Sequence, residues 1–316
     1  MTLNVVVSDK SGMPLASLDR QNFTIFDNKQ PVAITSFGAV DGATARPPVQ
    51  IIVVLDEVNA TWTVTSLERT QLLRFLRMNN GRLPLPVSLA FLTDAATKIP
   101  GTPSLEGNAL IAALNEQQFG LRTERRSEGL YGAADRMQTS LRALEQIASL
   151  VSTNPGRKIV IWISPGWELL TTPRIDWLFT NKTQKTSFHN IVSVSDGLRL
   201  ADMTIYNIDP LGTGDTGGFA TMYYQNFLKG VRKPTDCQFA HLSLQVIASQ
   251  SRGRVLNSSN DIAGEIASCF RDAAAFYRLS FDASVARNPN EYHAIEVKIS
   301  KPSLTALTRT GYYAQP

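Results

Sequence analysis

Hydrophobic and polar positions follow one pattern up to about residue 47 and another after it. Residues 3 to 38 alternate apolar and polar positions in short runs, "LNVVVSD", "FTIFDN" and "VAITSF", separated by turn-forming stretches such as "KSGMP". Short alternating runs between such turns are typical of antiparallel strands. The N-terminal segment therefore predicts a small β module that ends at a Pro-rich linker, "DGATARPP".

Apolar segments alternate with helical segments after the linker. Helical periodicity predicts helices over about 126–153 and 261–275, and Thr65 with Glu68 has the spacing of a capping box for a helix that runs to about Met78. Continuous apolar strands between helices are typical of a parallel sheet that is covered on both faces. The predicted strands are "IIVVLD" (51–56), "VSLAFLT" (87–93), "KIVIWIS" (158–164), "MTIYNI" (203–208) and "RVLN" (254–257).

Strand-like alternation returns after Ala275, in "FYRLSFD" (276–282), "HAIEVKIS" (293–300) and "LTRTGYY" (307–313). Neither end of the chain has enough strands to be stable alone. We therefore expect both ends to form one β module, with an α/β domain inserted between them. The predicted parts are residues 1–47, 48–275 and 276–316.

Composition and charge exclude several classes of protein. The chain has 316 residues and is 43% apolar, which is enough for a substantial core. Its 31 basic and 27 acidic residues give a net charge of +4, spread along the chain, and this argues against nucleic acid as a partner. No stretch approaches the ~20 apolar residues of a membrane helix. The start, "MTLNVVVSDKSG", does not have the pattern of a secretory signal.

Several motifs in order along the chain resemble a known family. They are "VVVSDKSGMPLASLDRQNFTIFDNKQPVAITSF", "IIVVLD", "KIVIWISPGWE", "SNDIAGEI" with "FYRLSF", and "RTGYY". In this order they resemble the von Willebrand factor type A-related domain proteins that are abundant in Acidobacteria. The resemblance implies a Rossmann-like type A domain with a flanking β module. It also implies an exported, secreted or periplasmic, protein that binds a protein or peptide partner without catalysis.

Type A domains often hold Mg²⁺ through Asp-x-Ser-x-Ser after the first strand, a Thr from a second loop and an Asp from a third. Here Asp56 is present, but Val58 and Ala60 occupy the two hydroxyl positions. Glu128 occupies the place of the Thr, and the third loop has Glu168 nearby but no Asp. The resemblance therefore implies a degenerate metal site that binds Mg²⁺ or Ca²⁺ weakly or not at all.

Two interpretations of the turn after the first strand remain open. Asp56, Asn59, Glu128 and Glu168 could form an unusual oxygen cluster for a metal ion. Alternatively, Asp56 and Asn59 hydrogen-bond to their own turn, as such side chains commonly do.

Large aromatic residues follow the predicted strands and are candidates for partner contacts. Trp62 follows the first strand, Trp167 and Trp177 follow "KIVIWIS", and Tyr223 and Tyr224 follow a Gly-rich stretch. Exposed Trp and Tyr are favoured as interface anchors. The alternative is that these rings fold inward and cover the end of the sheet.

Cys237 and Cys269 are the two cysteines of the chain. Two buried thiols are one interpretation, because Cys269 lies on the apolar face of its helix. The oxidising compartment of an exported protein would instead favour a Cys237–Cys269 disulfide.

An enzyme is the alternative to a binding protein. The stretch "GTGDTGG" (212–218) has glycines in G-x-G-x-x-G spacing after a strand, a pattern that can hold a phosphate. A small-molecule or phosphate-binding enzyme would use this loop together with the strand ends.

Overall fold

The computed structural model describes residues 1–15, 17–46, 49–117, 130–167, 180–211 and 224–316. The strands in these ranges are β1 (Thr2–Ser8), β2 (Phe23–Asp27), β3 (Gln30–Val32), β4 (Ile34–Asp41), β5 (Gln50–Asp56), β6 (Arg82–Leu92), β7 (Thr97–Lys98), β8 (Ser104–Glu106), β9 (Lys158–Ile163), β10 (Met203–Ile208), β11 (Val255–Leu256), β12 (Ala275–Phe281), β13 (Glu291–Ile299), β14 (Thr305–Leu307) and β15 (Gly311–Ala314). The helices are α1 (Trp62–Leu76), α2 (Gly107–Glu116), α3 (Leu130–Ser152), α4 (Asn181–Leu200), α5 (Leu244–Gln250) and α6 (Ile262–Ala274). These helices all lie between the strands of the two chain ends.

A mostly parallel sheet forms the centre of the molecule, as the apolar strands predict. Its order is β11-β10-β9-β5-β6-β7, and β8 also pairs with β6. The pairs from β11 to β6 are parallel, whereas β7 and β8 run antiparallel to β6. The chain is therefore a mixed α/β protein.

Helices cover both faces of the central sheet, which explains why its strands are apolar throughout. In β5, Ile51, Val53 and Leu55 belong to the core beneath α1, α2 and α6. Ile52 and Val54 belong to the core beneath α3, α4 and α5. Because both sides of each strand are buried, the alternation of a half-exposed strand is absent.

The chain ends form two four-stranded antiparallel sheets that share one apolar core. Their orders are β14-β1-β12-β4 and β15-β13-β2-β3. Strands from the start of the chain pair with strands from its end, β1 with β12 and β2 with β13. Leu3, Val5, Ile25, Leu279 and Phe281 lie in the core between the sheets. The domain boundaries at residues 47/48 and 275/276 stay a prediction.

The alternation predicted one strand in "LTRTGYY", but the structure divides this segment between two strands. Thr305–Leu307 pairs with β1 in one sheet, and Gly311–Ala314 pairs with β13 in the other. The intervening residues pass between the two sheets, a change of partner that local alternation does not encode. Among the described helices, none is both long and apolar enough to cross a bilayer.

Candidate functional site at the carboxyl edge of the central sheet

Strand β5 is the point at which the connections of the central sheet change direction. The chain passes from β5 to β6 on one side and later returns to β9 on the other side of β5. Ligands of open parallel sheets gather beyond the carboxyl ends of the strands at such a point. Asp56 is the last residue of β5, so it lies where a binding site is expected.

The carboxylate of Asp56 is fully buried and accepts four hydrogen bonds. Its Oδ1 accepts from the backbone N–H groups of Val58 (2.9 Å) and Asn59 (3.0 Å). Its Oδ2 accepts from the side-chain amide of Asn59 (2.8 Å) and from the indole N–H of Trp162 (2.9 Å). A carboxylate has about four lone-pair sites, so these donors fill the acceptor capacity of Asp56. Asp56 therefore closes its own turn and ties it to β9.

Asn59 extends this network to the neighbouring helix. Its side-chain nitrogen also donates to Oγ of Ser140 in α3 (2.8 Å), and Ser140 Oγ in turn donates to the carbonyl of Arg136 (2.8 Å). The side-chain carbonyl of Asn59 is buried and has no hydrogen-bond partner in the described part of the chain. The turn is thus held between β9 and α3.

Of the four residues predicted to form a metal site, Asp56 and Asn59 hold the turn together. Val58 and Ala60, which occupy the two hydroxyl positions of the type A motif, are 0% and 3% exposed and belong to the core. Glu128 and Glu168 lie outside the described residues, so the four-residue oxygen cluster remains a prediction. Within the described ranges, no group of three His, Cys, Asp or Glu side chains is placed to hold a metal ion.

A second group of acids lies at the same edge, on the face that α1 and α6 cover. These two helices pack against each other through the rings of Phe75 and Phe270, with centroids 5.1 Å apart. The group draws one residue from the end of β5, one from the end of β10 and one from each helix. We name it the carboxylate cluster, and its members are Glu57, Asp209, Glu68 and Glu265.

Glu68 is the most deeply buried member of the carboxylate cluster. It is 0% exposed, and neither carboxyl oxygen has a hydrogen-bond partner among the described residues. Burial, followed by the charges of Asp56, Asp209 and Glu57, raises the pKa of Glu68 well above its ordinary value. An unsatisfied buried polar group costs about 1–3 kcal/mol of stability. Strongly shifted acids at a strand edge are candidates for function.

Glu57 and Glu265 have shifted pKa values at the margin of the cluster. Burial raises the pKa of Glu57 to about 7, assisted by repulsion from Asp94 and Asp56. Burial also raises the pKa of Glu265 to about 7, assisted by Asp209. Each has one buried carboxyl oxygen without a hydrogen-bond partner among the described residues. Both groups therefore exchange protons near neutral pH.

The sequence pattern assigned Glu68 the wrong role. Helix α1 begins at Trp62, and its N-cap is Thr61, whose side chain accepts from the N–H of Val64 (3.4 Å). The capping box predicted from Thr65 and Glu68 is therefore wrong. Glu68 precedes the buried Leu72 by one helical turn, so it lies on the buried face of α1. This spacing is the signal that could have identified it.

The predicted aromatic contacts occupy different environments. Trp62, the first residue of α1, is 67% exposed, whereas Tyr224 is partly buried in a 3-10 turn. Trp177 and Tyr223 lie outside the described residues. Sequence reasoning missed Tyr131, which is 72% exposed in the first turn of α3 at the same edge.

Trp167 is a core residue, so its predicted role as an exposed anchor is wrong and the inward alternative holds. It is 2% exposed, and its indole N–H donates to the carbonyl of Leu242 (2.7 Å). Its ring packs edge-on against Trp162, with centroids 5.9 Å apart. The apolar surface between the sheet and the loop preceding α5 accounts for this orientation.

Both cysteines are free and buried, so the predicted Cys237–Cys269 disulfide is absent. Cys237 belongs to the core on one face of the central sheet, and Cys269 belongs to the core on the other face. The sheet separates the two thiols. Burial raises the pKa of Cys237 to about 12 and raises that of Cys269 as well. Both thiols are therefore unreactive core groups.

Comparisons with known proteins assign no family. Neither a protein-family model nor a curated protein matches the chain. One similar solved structure is the pilus adhesin SpaC from Lactobacillus rhamnosus GG, at 9% sequence identity and a TM-score of 0.38. The alignment covers 95% of this chain and 49% of the adhesin chain, so this chain spans about half of that protein's length. A likeness at this level establishes neither family nor function.

Proposed function

We propose that the chain is a non-catalytic protein-binding domain that contacts a cationic segment of a partner protein with the carboxyl edge of its central sheet. The observation that carries this proposal is the set of unpartnered carboxyl oxygens on Glu68, Glu57 and Glu265. Glu68 is fully buried without a partner, and Glu57 and Glu265 each have a buried oxygen that accepts no hydrogen bond from the described residues. These oxygens are buried, so a partner would act on them through its positive charge at this edge, which would offset the repulsion that raises the pKa of Glu68.

The electrostatics of the cluster favour a cation over an anion. Asp56, Asp209 and Glu57 each raise the pKa of Glu68 by repulsion, so the acids of this group repel one another at Glu68. A Lys ammonium or an Arg guanidinium would reverse that repulsion and would form charge-assisted hydrogen bonds. A phosphate or a nucleic acid would add to the repulsion.

Trp62 would supply the apolar contact of this surface. It stands at the start of α1, shortly after Glu57, and is largely exposed to solvent. Indole rings are frequent interface anchors, and their faces attract Lys and Arg side chains. Trp62 and the carboxylate cluster therefore suit the same cationic partner.

The relation to type A domains is part of this proposal. The α/β domain would be a type A-like domain whose metal site has degenerated, and the four donors to Asp56 support this interpretation. Protein donors occupy the carboxylate that would otherwise bind the metal. The same resemblance supports export of the protein and membership of the Acidobacterial family.

Binding of an oligolysine peptide, measured by isothermal titration calorimetry at low salt, tests the proposal. We expect Trp62→Ala to weaken binding by about 2 kcal/mol, which is about thirtyfold. Replacing both margin acids, Glu57→Gln with Glu265→Gln, should also weaken it. Leu200→Ala is the matched control, because Leu200 is 73% exposed at the end of α4, on the opposite edge. Equal binding by the Trp62 variant, or equal binding of oligoglutamate, would refute the proposal.

Acid–base catalysis is the second candidate function. The observation that favours it is that Glu57 and Glu265 both have a pKa of about 7, near the optimum for a general acid or base. The Gly-rich stretch 212–218 lies outside the described residues. A hydrolase screen would support this candidate only if an activity is found that the double Gln variant loses.

A further inference from the structure

A cavity lies far from the carboxylate cluster, where the β module meets α4 and α5. It is partly open to solvent and has a volume of about 30 Å³. Aliphatic residues of α4 and α5 line it together with polar residues of α4 and of the loop before β15. The residues that matter here are Ile191, Val194, Leu198, Ile247, Ser195 and Arg309.

Arg309 brings a positive charge to this cavity, and the two acids whose charges act on it, Asp202 and Asp196, form no ion pair with it. Its guanidinium forms no hydrogen bond and no ion pair within the part of the chain that the structure describes. The nearest acids are already engaged, since Asp196 pairs with Arg199 (3.2 Å) and Asp202 accepts from the side chain of Asn4 (2.6 Å). Arg309 is therefore available to a ligand.

Burial does not remove the charge of Arg309. Desolvation, followed by repulsion from Arg199, lowers the pKa of Arg309 to about 10. The group is consequently still protonated at neutral pH. A partly buried cation without an anion is unfavourable, and an anion that enters the cavity would relieve that cost.

Backbone hydrogen bonds next to Arg309 fix the point from which its side chain extends. The N–H of Thr310 donates to the carbonyl of Gln250 (3.2 Å), and the carbonyl of Thr310 accepts from the N–H of Ile295 (2.9 Å). Gly311 follows, and a Cβ there would lie 2.4 Å from the backbone carbonyl oxygen of His293, so no larger residue fits without moving the backbone. This fixed backbone reduces the ordering cost of binding.

We propose that this cavity binds a small aliphatic monocarboxylate. The carboxylate would pair with the guanidinium of Arg309, a geometry that allows two parallel hydrogen bonds. The aliphatic carbons would contact Ile191, Val194 and Leu198. A single water molecule needs ~10–15 Å³ of cavity volume, so a cavity of about 30 Å³ has room for a carboxylate group. The short aliphatic chain would be directed to the mouth of the cavity. The single cation and the apolar wall suit a monoanion rather than a phosphate.

Acetate and butyrate, titrated into the full chain in chloride buffer at constant ionic strength, test this proposal. We expect both to perturb the backbone amide NMR signals of Thr310, Gly311 and Ser195, with butyrate binding more tightly because of its longer chain. Arg309→Met should weaken binding at least tenfold, whereas Arg309→Lys should retain part of it. Arg278→Met is the control, because Arg278 lies on a β strand outside the cavity lining.

The outcomes separate clearly. Perturbations confined to the cavity residues and lost in Arg309→Met would support the site. Equal perturbation by butylamine or in the Arg309→Met variant would overturn it, as would signals that change only outside the cavity. If Arg309→Met does not fold, the map of perturbed amides in the unmodified chain and the Arg309→Lys affinity decide the question.

Discussion

Two groups of buried acids lie beside the carboxyl end of β5, and they differ in their hydrogen bonds. One is Asp56 in its turn, and the other is the carboxylate cluster between α1 and α6. Asp56 is 0% exposed and accepts four hydrogen bonds from protein donors. Glu68 is also 0% exposed, yet its carboxyl oxygens accept none from the described residues. The first acid stabilises the fold, whereas the second destabilises it.

This contrast separates structural from functional acids better than residue type does. The sequence pattern singled out Asp56 because of its position after the first apolar strand. The structure instead directs attention to Glu68, because native proteins rarely keep an unsatisfied buried polar group without a reason. Binding of a cationic partner would be such a reason.

Asp56→Ala should have the largest effect on the free energy of unfolding, because it removes the acid that accepts four hydrogen bonds. The substitution leaves two backbone N–H groups, the Asn59 amide and the Trp162 indole without their acceptor. We expect a loss of at least about 3 kcal/mol in the free energy of unfolding, measured by urea denaturation. Asp135→Ala, on an exposed position of α3, is the control and should change stability little. A loss below ~1 kcal/mol would show that the turn does not depend on Asp56.

Glu68→Gln should remove the cost of ionising this buried acid, so its effect on stability should have the opposite sign. Gln keeps the shape and polarity of protonated Glu68 but cannot ionise. We expect the variant to be more stable than the unmodified chain by about 1 kcal/mol or more at pH 8, with the difference vanishing near pH 4. A variant that is less stable at pH 8 would mean that ionised Glu68 is stabilised by a partner.

The margin acids should make stability depend on pH. Glu57 and Glu265 have pKa values of about 7 in the folded chain against ordinary values of 4.5. Between these values the unfolded chain loses protons that the folded chain retains, so stability falls as pH rises from about 4.5 to about 7. The double variant Glu57→Gln and Glu265→Gln should flatten this decline in urea denaturation curves. Parallel curves for the two proteins would contradict the assigned pKa values.

The smallest effect is expected at the cysteines, which are ordinary core residues in this comparison. Because the central sheet lies between Cys237 and Cys269, reducing agent should leave the free energy of unfolding unchanged. Two free thiols should be titrated after unfolding without reduction, and neither should react quickly in the folded chain. If no free thiol is titrated in the unfolded, unreduced protein, Cys237 and Cys269 form a disulfide after all.

Much of the fold follows from local patterns in the sequence. Continuous apolar runs identified the central strands, since burial on both faces requires them, and β10 matches its predicted bounds, 203–208. The split of "LTRTGYY" between two sheets could not be predicted, because it depends on which strands are nearby. Helix α1 begins at Trp62 rather than after Thr65, since Thr61 is the residue that caps it.

The candidate site was less predictable than the fold. The position of Asp56 after an apolar strand predicted that it lies at the carboxyl edge of the sheet. That it hydrogen-bonds to its own turn was one of the two interpretations of the sequence. The carboxylate cluster depends on α6 packing against α1, which brings Glu265 to the same edge as Glu68 across a long stretch of sequence. Likewise, whether Trp62 or Trp167 faces solvent is decided by the surrounding packing, and the two residue types are identical.

The protonation state of Glu68 tests the central claim most directly. The side-chain carboxyl ¹³C signal of Glu68, identified by its absence in Glu68→Gln, can be followed by NMR as pH is raised. We predict that Glu68 keeps its proton to a pH well above the ordinary value of 4.5, and that oligolysine binding lowers the pH at which it loses that proton. A Glu68 signal that titrates near the ordinary value of 4.5 would show that this acid is satisfied, and the contrast with Asp56 would then be lost.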